Sequence, residues 1–509
     1  MTAGLITPYQ PELAPRPAGI AQLLRAEWTK LRTVRGWVIA LIVAGLLIVG
    51  VGLLNHSECG GIQPNGSNSV GGPACAVLTG PGGEAVTDGF YFVHQPLGPA
   101  GSLTVRVAGL TGPGLQPWSK AGIIIKASTI PGSAYAAMMV TGGHGVRMQW
   151  DYAQDTPGLA GPGPRWLRLT RSGAVITGYD SADGTHWAKV GTATLAGLPS
   201  TVQAGLFAAS PDSSQLISSS GIGSSSSGGP TQATATFDQV AVTGVRSGGG
   251  WAGTAVGGPS GMPGVGYHSA GGAVTVTGTG DIAPSPSGGG NGGYSVAQTL
   301  IGTFAGLIAV IVVATMFMTA EYRRGLIRVT LVASPRRSRL LAAKAVVIGL
   351  AAFAVTLPGA YAASLIEPRL MRTRGVTVDP VPPLTDVRLI VGTAALVGVA
   401  AMLAVALGAI LRHSAAAVTT VIAVIVLPYF FAVPLMLLPA GAADWLLRVT
   451  PAAGFAVQQP YPAYPQVAAS YTPGNGYYPL APWAGFAVLC AWTALALVLA
   501  GYLLCRRDA

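Results

Sequence analysis

Charge is what this chain has least of. Only 9% of its 509 residues are Asp, Glu, Lys or Arg, against about 25% in an ordinary soluble domain. With a mean hydropathy of +0.51, that deficit excludes a surface wholly in water and points to a chain embedded in a membrane. Cysteine is scarce as well: four residues in all, which excludes a disulfide-dense scaffold. Also missing is a G-x-x-x-x-G-K-[ST] phosphate loop. Among the lysines only Lys120 follows a Gly-rich stretch, and Ala121 comes next, so the chain has no ATP site of that type.

Apolar runs are abundant. Six are long enough for a hydrocarbon core of about 30 Å, which takes roughly 20 residues: Trp37–Leu54, Leu300–Thr319, Ala345–Ile366, Leu389–Leu411, Ala415–Leu438 and Trp483–Cys505. None holds Asp, Glu, Lys, Arg or His. A proton- or sodium-coupled carrier usually needs such groups inside its spans, so their absence favours a device driven from the cytosol. The Asn55–Glu58 stretch after the first run is a poor cleavage site, and that run reads as a retained helix.

Basic residues set the orientation. With the N-terminus inside, residues 1–36, 321–344, 412–413 and 506–509 carry fifteen basic and four acidic residues, the whole formal net charge of +11. Both termini are then cytosolic, residues 55–295 are extracellular, and the protein sits in the plasma membrane. Basic residues that flank membrane helices face anionic lipid, which makes membrane lipid a partner and excludes nucleic acid as one. The outer loop Glu367–Arg388, with Arg369, Arg372, Arg374 and Arg388, goes against that rule.

The expected fold is a multi-pass α-helical membrane protein of six transmembrane helices with an inserted all-β jelly-roll sandwich between helices 1 and 2. Residues 1–36 form a cytosolic tail and an interface helix, 37–54 the first span, 55–295 the insert, and 296–509 the remaining spans. Residues 84–284 alternate in short runs punctuated by Gly, Pro and Asp, as strands should. Asp183-Gly184, between Tyr179 and Trp187, is a hairpin turn signal. Residues 285–295 read as a flexible tether and Pro211–Pro230 as an unstructured Ser/Gly loop. If the insert is outside the cell, Cys59 and Cys75 can be bridged; two unpaired thiols are the alternative.

Ile20–Arg35 is amphipathic and basic, with Ile20, Leu23, Leu24, Trp28, Leu31 and Val34 at helical steps. A helix of this kind lies in the inner headgroup layer, and Trp28, Lys30 and Arg32 are its interface residues. The stretch E-Y-R-R-G-L-I-R-x-T-L-x-A-S-P-R-R-x-x-L-L-A-A-K from Glu321 to Lys344 is too short for a domain and too apolar for a solvated connector. A short helix with an apolar ridge and basic rim suits docking into a partner's groove.

That stretch resembles the loop after the second span in permeases of the type-2 ATP-binding-cassette (ABC) export family. The opening LLRAEWTKLRTVRGW is similar to that family's interface helix, and the broken stretch Asp444–Pro451 before the last span also fits. The resemblance implies a transport subunit that is not itself an enzyme and binds no cofactor. ATP would be used by a separate ABC ATPase subunit, and the permease would pair with a second permease subunit as a homo- or heterodimer. It further implies that Glu321, Arg323, Arg324, Gly325, Arg328, Pro335, Arg337 and Lys344 couple the ATPase to the spans.

The insert departs from that family. Its W-L-R-L-x-R-x-G and G-Y-x-S-x-D-G-x-x-W motifs resemble concanavalin- or laminin-G-like jelly rolls, a likeness of fold more than of ligand. A membrane-anchored carbohydrate-binding or sensing protein, using Asp180, Asp183 or His186, is therefore the alternative. No carboxylate pair for glycosidic chemistry stands out.

Overall fold

The computed structural model describes residues 19–54, 60–62, 68–70, 77–159, 164–213, 215–218, 224–227, 229–245, 250–257, 263–285, 295–323, 325, 337–373, 378–432, 440–467 and 471–507. Cys59 and Cys75 lie outside them, as do Arg324, Arg328 and Pro335.

Nine α-helices are described: α1 Ile20–Thr33, α2 Arg35–Leu53, α3 Val296–Thr299, α4 Thr303–Arg323, α5 Arg337–Thr373, α6 Pro383–Leu411, α7 Ser414–Ala432, α8 Ala440–Val449 and α9 Pro482–Arg507. Six of them (α2, α4, α5, α6, α7 and α9) are long and apolar enough to cross a membrane. In chain order the β domain follows two helices and precedes the rest. It was expected between the first two transmembrane helices; counted over all helices it follows α1 and α2, which Val34 in extended backbone separates, and among the six long apolar helices it lies between α2 and α4.

The helices approach closely where side chains are small. A Cβ on Gly302 would sit 1.9 Å from the Ile48 carbonyl oxygen, and one on Gly485 would sit 2.3 Å from that of Ala453. The second contact seats α9 against the buried 3₁₀ helix Pro451–Gln458; the stretch Asp444–Pro451, read as broken, is helical in α8 as far as Val449. Phe304, Tyr429 and Phe455 stack with centroids 4.5–5.2 Å apart, joining α4, α7 and that 3₁₀ helix.

The largest sheet of the β domain has thirteen strands and is antiparallel and curled nearly into a barrel. Its axis is the 22-residue strand Phe90–Thr111, where the sequence pattern suggests two shorter strands, Gly89–Val93 and Leu103–Val107. That strand pairs with Arg165–Ser172, Val202–Ala209, Ala233–Val245 and Ala252–Val256. The two ends of the sheet fold back on each other. Gly178 permits this: a Cβ there would lie 2.6 Å from the Met138 sulfur and 2.7 Å from that of Met148.

The hairpin at Asp183-Gly184 joins Val175–Ser181 to Ala188–Thr194, with Gly184 at φ +77° and its backbone against the Trp166 ring. Within the Ser/Gly stretch expected to be unstructured, Gln215–Ser218 and Ser224–Ser227 pair as short strands.

A small sheet (Leu78–Thr79, Ala85–Asp88 and Ile282–Pro284) caps the back of the large one over a second apolar core. Two fully buried lysines on strand Lys120–Lys126 fasten it. Lys120 Nζ lies 2.6 Å from Asp281, and Lys126 Nζ lies 2.7 Å from Asp88 and 3.1 Å from the Tyr152 hydroxyl. Burial lowers the Lys126 pKa, against the pull of Asp88. Removing one member of such a pair leaves the other charge buried and costs about 3–5 kcal/mol. Lys126→Met should therefore lower the thermal midpoint of the β domain sharply, read by tryptophan fluorescence on the full chain. Adding Asp88→Asn should recover part of the loss; an additive double substitution would contradict the pairing.

Candidate functional site

Helix α1 buries Leu23, Glu27 and Leu31, one residue per turn, and leaves Ile20, Trp28 and Val34 exposed. The apolar stripe read from the sequence thus divides into two faces. One packs on α5 and has a glutamate at its centre. The other, with Trp28 49% exposed, is free for an interface.

Glu27 is buried because α5 brings it one cation, α1 itself supplies a second, and α4 brings another carboxylate to share them. Lys344 Nζ lies 2.7 Å from Glu27 Oε2 and 2.6 Å from Glu321 Oε1; Lys30 Nζ lies 2.7 Å from Glu27 Oε1 and 3.1 Å from Glu321 Oε1. The four side chains close a square of alternating charge, with α1 supplying two corners, α4 one and α5 one. The Phe317 ring, one turn before Glu321, lies 5.1 Å from Lys344 Nζ. Burial works against the charge on Lys30, yet Glu27 and Glu321 outweigh it and raise its pKa.

Seven of the residues singled out from the sequence, besides Trp28, lie at this end of the helices. Glu321 and Lys344 face inward in the square, and Lys344 is 0% exposed. Lys30 is the half-exposed corner. Arg323 is exposed at the end of α4, and Gly325 beyond it is left-handed at φ +66°. Arg337 opens α5 and donates from Nη1 to the Leu504 carbonyl of α9 at 2.9 Å. Arg32 is exposed on α1.

Sequence reading missed Glu27 as a site residue. Its signal was a lone carboxylate four residues from both Leu23 and Leu31. Arg412 was counted only for orientation. It is the left-handed cap of α6 (φ 57°), with its guanidinium 5.3 Å from the Tyr322 ring.

Glu367 corrects the expectation that the spans are neutral. The third apolar run continues as helix to Thr373, and Glu367 is 1% exposed within it. Neither of its carboxylate oxygens has a hydrogen-bond partner among the described residues. Gly52 of α2 leaves the room, since a Cβ there would lie 1.7 Å from Glu367 Oε1.

At the other end of the bundle the β domain docks on the loop before α9. Gln466, 2% exposed, donates from Nε2 to the carbonyls of Tyr152 and Ala153 at 3.4 and 3.1 Å. Those carbonyls are presented by a turn in which Asp151 and Tyr152 both have positive φ, 42° and 59°. The residues considered for carbohydrate binding do not form one site. Asp180 is buried and accepts the Leu159 amide at 2.9 Å. Asp183 and His186 pair on the exposed hairpin at 2.6 Å. The geometry of that hairpin is explained by its own turn, with Asp183 accepting the amides of Thr185 and His186.

No family model matches this chain, and no curated protein matches it. Among solved structures it is similar to a functionally unknown protein from Saccharomyces cerevisiae (19% identity, 31% of this chain, 76% of that chain, TM-score 0.22). It is also similar to the GH43 protein BlXynB from Bacillus licheniformis (20%, 22% and 24%, TM-score 0.18). A third is Scytalido-glutamic peptidase (8%, 39% and 100%, TM-score 0.24). At these scores none of them bears on function.

Two outcomes follow. Lys344→Met leaves Glu27 and Glu321 facing each other and should cost about 3–5 kcal/mol of stability; adding Glu27→Gln restores neutrality and should recover much of it, measured as thermal midpoints of the purified chain. At the docking turn, burial raises the Asp151 pKa above its ordinary 3.8. The folded state then holds the proton more tightly than the unfolded one, so stability is greatest in acid and declines as pH rises from about 3.8 through the raised value. Asp151→Asn, which tolerates the left-handed backbone, should flatten that decline between pH 4 and 7. An unchanged pH profile would show that Asp151 does not carry it.

Proposed function

We propose that the chain is the membrane-spanning permease subunit of an ABC exporter, passing the closure of a separate ATPase subunit to its helices. The observation that carries this reading is the charge square. It ties the amphipathic α1 to the end of α4 and the start of α5, the two helices that flank the basic segment 324–336. Force applied to that segment would reach α1, α4 and α5 together, because the square resists separation of any one of them. Buried charges in this arrangement are costly to part and so transmit displacement instead of absorbing it.

The resemblance of Glu321–Lys344 to the coupling loop of type-2 export permeases supports the same reading, as do the six apolar helices. The energy source is argued from that loop and from the absent phosphate loop, not from neutral spans, since Glu367 is buried in α5. Under this reading the β domain is an outer lid or spacer: the Gln466 contact holds it on the loop leading into α9.

Reversing Arg324 and Arg328 to Glu should abolish recovery of a phosphate-loop ATPase with the tagged protein from its native membranes, while insertion is kept. Wild-type recovery by that variant, or no ATPase with the wild type, would refute the reading.

A further inference from the structure

The first turns of α5 and the last turns of α9 leave an apolar groove between them. Its volume is about 490 Å³, and Leu341, Ala342, Leu497, Val498, Gly501 and Tyr502 line it. Gly501 gives it depth, for nothing comes closer to a Cβ built there than the Ser338 Cβ at 4.0 Å. The Arg337 bond to the Leu504 carbonyl holds the two helices together at its mouth.

That mouth is basic. Arg339 follows Ser338 of its wall and Arg506 follows Cys505, both arginines exposed, and the Arg506 guanidinium lies 4.9 Å from the centroid of the Tyr502 ring, itself part of the wall. An apolar groove whose walls are continued by two exposed arginines combines two preferences in one ligand. A free anion would not use the slot, and a neutral lipid would not use the arginines.

We propose that this groove is a specific site for one anionic phospholipid, with a tail between α5 and α9 and its phosphate between Arg339 and Arg506. The inference needs only that α5 and α9 cross a membrane; it does not rest on the permease reading, and neither stands or falls with the other. Basic clusters at the ends of membrane helices attract anionic headgroups generally, at about 1 kcal/mol per charge. The groove adds a fixed place for the tail, so that a bound lipid survives extraction.

The test uses the full chain in detergent, exchanged against equal amounts of phosphatidylglycerol and phosphatidylcholine with identical tails, and counted by native mass spectrometry. Wild type should retain phosphatidylglycerol in preference. The doubly substituted R339A/R506A chain, altered only at exposed positions, should lose that preference roughly tenfold or more. Excess glycerol phosphate, which has a headgroup but no tail, should not displace the lipid. Equal retention of both lipids by wild type, an unchanged preference in R339A/R506A, or displacement by glycerol phosphate would each overturn the proposal.

Discussion

Four charged side chains at one end of the helix bundle set the arrangement of everything around them. Glu27, Lys30, Glu321 and Lys344 come from three helices and satisfy one another only when all three are in place. An isolated ion buried in an apolar setting costs several kcal/mol, so an intermediate with one helix displaced is penalised at once. The same cost makes the square specific: α1 cannot slide by a turn along α5 without stranding Glu27. Close glycine contacts such as Gly302 on Ile48 then bring the apolar parts of the bundle together with no further need for polar groups.

The outer domain follows the same logic on a smaller scale. Its cap sheet carries an apolar face too small to be held by burial alone, and Lys120–Asp281 and Lys126–Asp88 fix it at both ends of one strand. Tyr152 belongs to this network through its hydroxyl and to the membrane-side contact through its carbonyl. The left-handed pair Asp151–Tyr152 therefore joins the interior of the β domain to the loop before α9. Backbone strain of this kind persists only where the surroundings hold it, and here two sets of contacts do so.

Glu367 is the exception to this economy of charge. It has neither a cation nor a hydrogen-bond partner among the described residues, and only the absence of a side chain at Gly52 lets it fit.

Much of the architecture was legible from the sequence because it depends on local pattern. Six apolar runs, the amphipathic Ile20–Thr33 and the alternation through residues 84–284 each report a solvent boundary that hydropathy records directly. The hairpin at Asp183-Gly184 was legible for the same reason, since a turn is set by the residues within it. The continuous strand Phe90–Thr111 was not: Pro96, Gly98, Pro99 and Gly101 signal a break, and pairing on both sides overrides it. Nor was the role of Glu321 and Lys344. Sequence marks them as charges beside a membrane helix, which suggests an outward-facing surface. Whether such a charge meets water, lipid, a partner or another charge depends on residues hundreds of positions away, and only the packing of α1 against α4 and α5 turned these two inward.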